Sequence, residues 1–165
     1  MEIKNAFKSQ YTASLKMLRE TISKADDALW LNKKYKNPFW HIAYHVLFCT
    51  DLYLSEDEDR FSPWEKHKDD YESLKQTENK PAIIEPYSRD EIIEYLDKIL
   101  NSLKEKIEGT DFNAPSGFYW LPFNKFELQI YNIRHLQHHT GQLIDRLREQ
   151  TGFGIAWVRE GGTKN

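Results

Sequence analysis

Apolar residues recur at steps of three and four along most of the chain, which is typical of helices, and no convincing run alternates at every second position. The first apolar stripe predicts a helix from Ile3 to Leu29. Its members share one face of that helix: Ile3, Phe7, Tyr11, Leu15, Leu18, Ile22, Ala25 and Leu29.

A second helix is predicted to start at the dipeptide Asn37-Pro38, with Asn37 as its N-cap and Pro38 at its first helical position. Asparagine is a favoured N-cap residue, and proline is favoured at the first helical position. The predicted helix continues to about Leu54 and is apolar nearly all round. A helix of that kind is expected to lie at the centre of the fold.

Residues 55–87 interrupt the helical pattern. They begin with an acidic run, interpreted as a solvated loop, and Pro63, Pro81 and Pro86 prevent any long helix. The connection is too long for a tight helical hairpin. One short helix is predicted within it, around Trp64 to Leu74.

Two further helices have recognisable start signals. Ser88 and Glu91 form a capping box for a third helix, which is predicted to reach about Glu108 before Gly109 ends it. Asn124, followed three residues later by a glutamate, predicts the cap of a fourth helix that reaches about Gln150. In the last fifteen residues, three apolar side chains are expected to pack back on the helices: Phe153, Ile155 and Trp157.

These four helices, with one long connection between the second and the third, predict an all-α fold. Short links make neighbouring helices antiparallel, whereas a long crossover allows helices two and three to run parallel. We therefore expect an up-down-down-up four-helix bundle. Its length suits one domain, so residues 1–165 are expected to form a single domain.

Composition narrows the classes of function. The formal net charge is -3 and no basic block stands out, which disfavours nucleic acid as a partner. Cys49 is the only cysteine, so no internal disulfide can form, and a cytoplasmic location is expected. The N-terminus shows no secretion-signal pattern. The longest apolar stretch, residues 39–54, is shorter than the roughly 20 residues that a membrane span needs, so no membrane association is expected.

Histidines are concentrated in two of the predicted apolar helices. His41 and His45 lie in the second helix, and His135, His138 and His139 lie in the fourth. Residues four apart share a helix face, so two imidazoles at this spacing can chelate one divalent ion. Clusters of imidazoles on two buried helices therefore predict a metal site between them.

The residues alone do not decide which side chain of the second helix is the third ligand. The candidates are His41, His45 and Cys49, which lie along one edge of that helix. His45 is better placed than His41, because it lies nearer the middle of its helix. Cys49 is interpreted as a small core residue, His41 as an outer-sphere or surface group, and His138 as pointing outward. Three protein ligands would leave a coordination position open, which is typical of catalytic sites.

Two segments resemble those of a known family. Residues 40–48, followed by Asp51 and Tyr53, resemble the second helix of the DinB-like superfamily, which includes YfiT-type proteins classed as metal-dependent hydrolases. Residues 132–143 are similar to its fourth-helix signature. The resemblance implies a divalent ion, nickel or zinc above all, held by His45, His135 and His139. It also implies a homodimer and, by analogy with characterised relatives, thiol-dependent transferase or isomerase chemistry.

The chain departs from that family at Leu136, where many relatives have glutamate. We expect a metal-dependent enzyme that activates water or a low-molecular-weight thiol against a small electrophilic substrate, hence a hydrolase or a thiol S-transferase. No residue is assigned as catalytic acid or base, and Gln142 is a candidate outer-sphere partner. The alternative is a non-catalytic metal- or ligand-binding bundle, such as a stress-related dimer.

Overall fold

A computed structural model describes residues 3–75 and 85–162. Within these ranges the chain forms five α-helices and no strand, which confirms the all-α class. In chain order the helices are α1 (Ile3–Lys24), α2 (Asp27–Trp30), α3 (Phe39–Tyr53), α4 (Arg89–Gly109) and α5 (Lys125–Thr151).

The four long helices surround a common core. Helix α1 packs against α4 and α5, and α3 packs against the same two helices. The core between them is filled by fully buried aliphatic side chains, among them Leu15, Leu18, Ile22, Leu47, Ile99, Leu136 and Leu143. None of the helices in the described part of the chain has the length and apolarity that crossing a membrane requires.

The first predicted helix is divided into two, so its predicted end at Leu29 is wrong. Helix α1 ends at Lys24, and the Asp26 side chain accepts a hydrogen bond from the backbone N–H of Leu29 at 2.7 Å, which caps the short helix α2. Aspartate is a strong N-cap residue, so this local bond competes with continuation of α1. The expected inward position of Ile3 is also wrong, because Ile3 is 46% exposed.

Helix α3 is central, as predicted, but it begins one residue later than expected. Pro38 occupies the N-cap position and makes no side-chain capping bond. Asn37 therefore does not cap α3; its amide donates to the backbone carbonyl of Leu74 at 3.2 Å. Most side chains of α3 are buried, which agrees with its nearly continuous apolar sequence.

The predicted short helix around Trp64 to Leu74 is wrong, because this segment consists of turns. Trp64 is buried and stacks on Tyr95 of α4, with ring centroids 4.8 Å apart. Asp70 has φ of 71°, a left-handed conformation that interrupts any right-handed helix. The expectation for Pro81 falls outside the described residues.

The caps of the last two long helices are confirmed. Ser88 and Glu91 form both bonds of a capping box at the start of α4. Asn124 accepts from the backbone N–H of Glu127 at 3.0 Å at the start of α5. Helix α5 ends with Gly152 in the left-handed conformation, at φ of 74°. Both starts were predictable because the capping bonds are made within a few residues of sequence.

The C-terminal segment only partly returns to the helices. Ile155 is half-buried and packs against the core, as expected. Phe153 and Trp157 are each 71% exposed, so the expectation that they pack inward is wrong. The segment is attached instead by its backbone, since the N–H of Gly161 donates to the Ser9 hydroxyl at 3.2 Å.

Gly117 lies where the loop before α5 crosses the start of the α3–α4 connection. Its φ is 85°, and a Cβ at this position would lie 2.5 Å from the backbone oxygen of Glu56. We predict that Gly117→Ala lowers the free energy of unfolding by about 2–4 kcal/mol, because left-handed strain adds to a backbone clash. Urea unfolding would measure the loss. Gly109→Ala is the control: a Cβ there meets nothing within 4 Å, so stability should not fall.

Candidate metal centre

His45 lies in the middle of α3 and is half-buried. Its Nδ1 lies 2.5 Å from the backbone oxygen of Glu72, in the α3–α4 connection. A carbonyl oxygen only accepts, so this contact requires the proton of His45 to be on Nδ1. Nε2 therefore carries a lone pair, which faces Nε2 of His135, and the hydrogen bond to Glu72 fixes the orientation of the ring.

His135 and His139 lie one turn apart on α5 and face the same region as His45. The ring centroids of His135 and His139 are 4.6 Å apart. The ring of His45 lies 5.1 Å from that of His135 and 4.9 Å from that of His139. The packing of α3 against α5 therefore brings together the three histidines expected from the sequence.

The two nearest nitrogens have the spacing that a shared ion requires. Nε2 of His45 and Nε2 of His135 are 3.2 Å apart. Two imidazole bonds of about 2.0–2.1 Å to one zinc ion, at a near-tetrahedral angle, place their nitrogens about 3.2–3.4 Å apart. The residues present therefore fit a small divalent ion.

The environment keeps these imidazoles neutral. Burial, together with the neighbouring His139 and His45, lowers the pKa of His135 to about 3. Burial lowers the pKa of His139 to about 4, although its hydrogen bond with Gln142 opposes the shift. Burial also lowers the pKa of His45. Metal ions bind neutral imidazole, so protons do not compete for these nitrogens at neutral pH.

The family of the chain follows from a comparison of its sequence with family models. The model of the DinB superfamily matches residues 10–143. The chain belongs to the DinB superfamily. The match includes α3 and the three facing histidines of α3 and α5. No curated protein and no solved structure matches the chain significantly.

In this DinB-superfamily protein Cys49 lies closer to the histidines than expected. One potential ligand atom each from His45, Cys49 and His135 can be chosen so that all three lie within 4.8 Å of one another. The Cys49 sulfur is 3.8 Å from Nδ1 and 3.9 Å from Nε2 of His45. His139 is not part of this mutually close group, and its Nδ1 instead lies 3.1 Å from the amide oxygen of Gln142.

The electrostatics of the site distinguish Cys49 from the histidines. Burial, together with the negative charge of Glu72, raises the pKa of the Cys49 thiol to about 12. The thiolate, which is the form that binds metal, is therefore disfavoured at neutral pH in the metal-free protein. A neutral imidazole such as that of His139 has no such cost.

We predict that Cys49→Ala retains zinc with an affinity within about threefold of the wild type, because a protonated thiol that packs as a core group contributes no bond. Zinc affinity would be measured by competition with a chromogenic chelator. Cobalt substitution gives an independent reading. An intense sulfur-to-cobalt charge-transfer band in the wild type, lost in Cys49→Ala, would contradict the prediction.

The remaining histidines have other surroundings. His41 is 4% exposed, and its Nε2 lies 2.9 Å from the backbone oxygen of Tyr71. The expectation that allowed His41 a surface position is therefore wrong, and it is a hydrogen-bonded core residue. His138 is exposed, as expected. His67 lies beside Tyr44, with 2.5 Å between Nδ1 and the phenol oxygen.

Two residues near the site differ in how well the helical pattern places them. Leu136, which the apolar arc of the fourth helix directs towards the core, is fully buried, so α5 supplies no carboxylate there. Glu72, in contrast, comes from the α3–α4 connection and contacts His45 through its backbone oxygen. Its segment lacks helical periodicity, so no sequence pattern marks Glu72 as part of the site. Only the fold places it beside α3.

Proposed function

We propose that the protein is an enzyme that uses a divalent metal ion held by His45, His135 and His139 to activate a nucleophile. The observation that carries this proposal is the approach of three neutral imidazoles from α3 and α5, with ring centroids 4.6–5.1 Å apart. Imidazole nitrogens suit nickel and zinc alike. These two ions are therefore the first candidates.

The protein's own residues orient two of the three ligands, whereas Nδ1 of His135 is buried without a hydrogen-bond partner. Glu72 accepts through its backbone from His45 and fixes that ring. The side-chain oxygen of Gln142, one turn further along α5, is hydrogen-bonded to Nδ1 of His139. Such outer-sphere partners decide which nitrogen faces a metal. The proposal takes His139 rather than Cys49 as the third ligand, because the family resemblance implies His139 and because a neutral imidazole binds a metal without losing a proton.

The arrangement favours a catalytic site over a closed structural one. All three histidines are half-buried rather than fully enclosed, so a bound ion would remain within reach of solvent and small molecules. Three protein ligands leave a position for a nucleophile. A bound divalent ion lowers the pKa of water or of a thiol and polarises a substrate carbonyl.

The proposed substrate pair is a low-molecular-weight thiol and a small electrophile. The test uses monobromobimane with cysteine, coenzyme A or glutathione, in protein loaded with nickel or zinc and in metal-free protein. In this reaction the thiol sulfur displaces bromide and the thiol proton is released. We expect the metal-loaded protein to accelerate the reaction with at least one thiol, and chelation to abolish the effect.

The same assay separates the other functions. Metal-dependent hydrolysis of p-nitrophenyl acetate without any thiol would contradict the transferase and favour a hydrolase. Stoichiometric metal binding with no turnover of either substrate would instead leave a non-catalytic metal-binding bundle. His138→Ala, which removes an exposed histidine beside the site, is the control and should retain full activity.

The proposal includes an up-down-down-up arrangement of the four long helices within a single domain. Hydrogen bonds and ion pairs support this arrangement. They connect the start of α1 with the end of α4, and each end of α3 (or a residue just before it) with the opposite end of α5, whereas α1 and α5 are connected near their corresponding ends. The pairs are Lys8–Glu108, Arg19–Asp97, Thr50–Asn132, Asn37–Arg146 and Tyr11–Gln129.

The family resemblance and the lone Cys49 support two further parts of the proposal. The first is a homodimer, which sedimentation would test. The second is a cytoplasmic location, where thiols stay reduced.

A further inference from the structure

Glu72 contains a buried carboxylate oxygen whose charge is not compensated by hydrogen bonding. Its Oε2 is buried and accepts no hydrogen bond. Buried polar atoms are almost always paired, and an exception calls for an explanation such as a missing ion. Glu72 as a residue is half-buried, so its carboxylate keeps part of its hydration, but burying one charged oxygen without a partner still costs free energy.

The connection holds Glu72 beside the histidines. The backbone oxygens of Tyr71 and Glu72 contact the rings of His41 and His45, at 2.9 Å and 2.5 Å. The backbone oxygen of Leu74 accepts from Asn37. These three contacts fix residues 71–74 along α3. The Glu72 carboxylate also adds to the effect of burial in raising the pKa of Cys49, which places its charge near the face of α3 that bears His45.

The charge of the proposed ion also lacks a counterpart among its ligands. Three neutral imidazoles leave both positive charges of a divalent ion uncompensated. Among the described residues, no carboxylate oxygen joins the mutually close group of potential ligand atoms. The buried α5 side chains nearest to His135 and His139 in sequence are Leu136 and Thr140, which carry no charge.

We propose that Glu72 is the anionic member of this metal site, an outer-sphere carboxylate that compensates the charge of the bound ion. The inference rests on the proposed function, which supplies the ion. Since no oxygen of Glu72 belongs to the close group of ligand atoms, Glu72 acts from beyond bonding distance. From there it can accept a hydrogen bond from a nucleophile in the open position, and it is a positioning residue.

The test is Glu72→Gln, which removes the charge and keeps the size and backbone contacts of the residue. We expect zinc affinity, measured by chelator competition, to fall about tenfold or more, the usual effect of losing an outer-sphere partner. We also expect the Tm of the metal-free variant to equal or exceed that of the wild type, because the unpaired buried charge is gone. The rise in Tm caused by zinc should shrink correspondingly.

The matched control is Glu58→Gln, which removes the same charge at an exposed position in the same connection. Its zinc affinity should stay within twofold of the wild type. Wild-type affinity in Glu72→Gln would overturn the inference while leaving the proposed function intact. A lower Tm or failed folding of the metal-free Glu72→Gln variant would assign Glu72 a structural role and also overturn it. If the wild type itself bound no zinc, the proposed function would fail first.

Discussion

His139→Ala should lose on the order of 100-fold in zinc affinity. Structural zinc sites with four ligands bind with about 10–16 kcal/mol, so each ligand contributes about 2.5–4 kcal/mol, or a factor of about 60–700. The ring of His139 lies 4.6 Å from that of His135 and 4.9 Å from that of His45, centroid to centroid. Equilibrium competition with a chelator, on protein purified without a histidine tag, measures the loss.

The neighbouring residue provides a close control for this experiment. His138 is exposed, and its ring centroid lies 4.9 Å from that of His139. It is not one of the three histidines whose rings face one another between α3 and α5. His138→Ala should keep its zinc affinity within about twofold. Equal losses in both variants would indicate diffuse binding to the histidine-rich surface of α5. Full retention in His139→Ala would exclude His139 as a ligand and would favour Cys49, which completes the mutually close group.

Local sequence signals predicted the capped starts of α4 and α5 correctly and the end of α1 incorrectly. Ser88 with Glu91, and Asn124 with Glu127, are capping pairs whose bonds close within three residues, so no tertiary information was needed. The apolar stripe of α1 continues through Leu29 even though the helix ends at Lys24. Apolar periodicity indicates which side chains face the core, but it does not indicate where a helix ends. Leu29 is buried, as the periodicity predicts, although it belongs to the separate helix α2.

The connection between α3 and α4 was the least predictable part of the described chain. Trp64 was expected in a short helix, yet its burial depends on stacking against Tyr95, which lies thirty-one positions away. The candidate site likewise combines a local sequence signal with a contact that depends on the tertiary fold. The i,i+4 spacing of His135 and His139 is visible in the sequence, whereas the contact of His45 with Glu72 depends on how the connection folds back.

We expect a large loss of stability when a buried ion pair between α3 and α4 is broken. Asp51 is 4% exposed, and its carboxylate accepts from the Lys106 ammonium at 2.6 Å and from the Tyr95 hydroxyl at 3.1 Å. Lys106→Met keeps most of the aliphatic stem but leaves the carboxylate with one neutral donor. Breaking a buried pair costs about 3–5 kcal/mol. The Lys106 side chain is 28% exposed, so we expect a loss of about 2–4 kcal/mol.

A double-mutant cycle identifies the cause of that loss. Asp51→Asn removes the charge while its amide oxygen can still accept from Tyr95, so Asp51→Asn combined with Lys106→Met should recover at least about 1 kcal/mol relative to Lys106→Met alone. Urea unfolding of the metal-free proteins measures all four corners of the cycle. If the losses of the single variants simply added, Lys106 would stabilise the protein through packing of its stem. Recovery in the double variant instead requires that the uncompensated carboxylate, buried between α3 and α4, is what destabilises Lys106→Met.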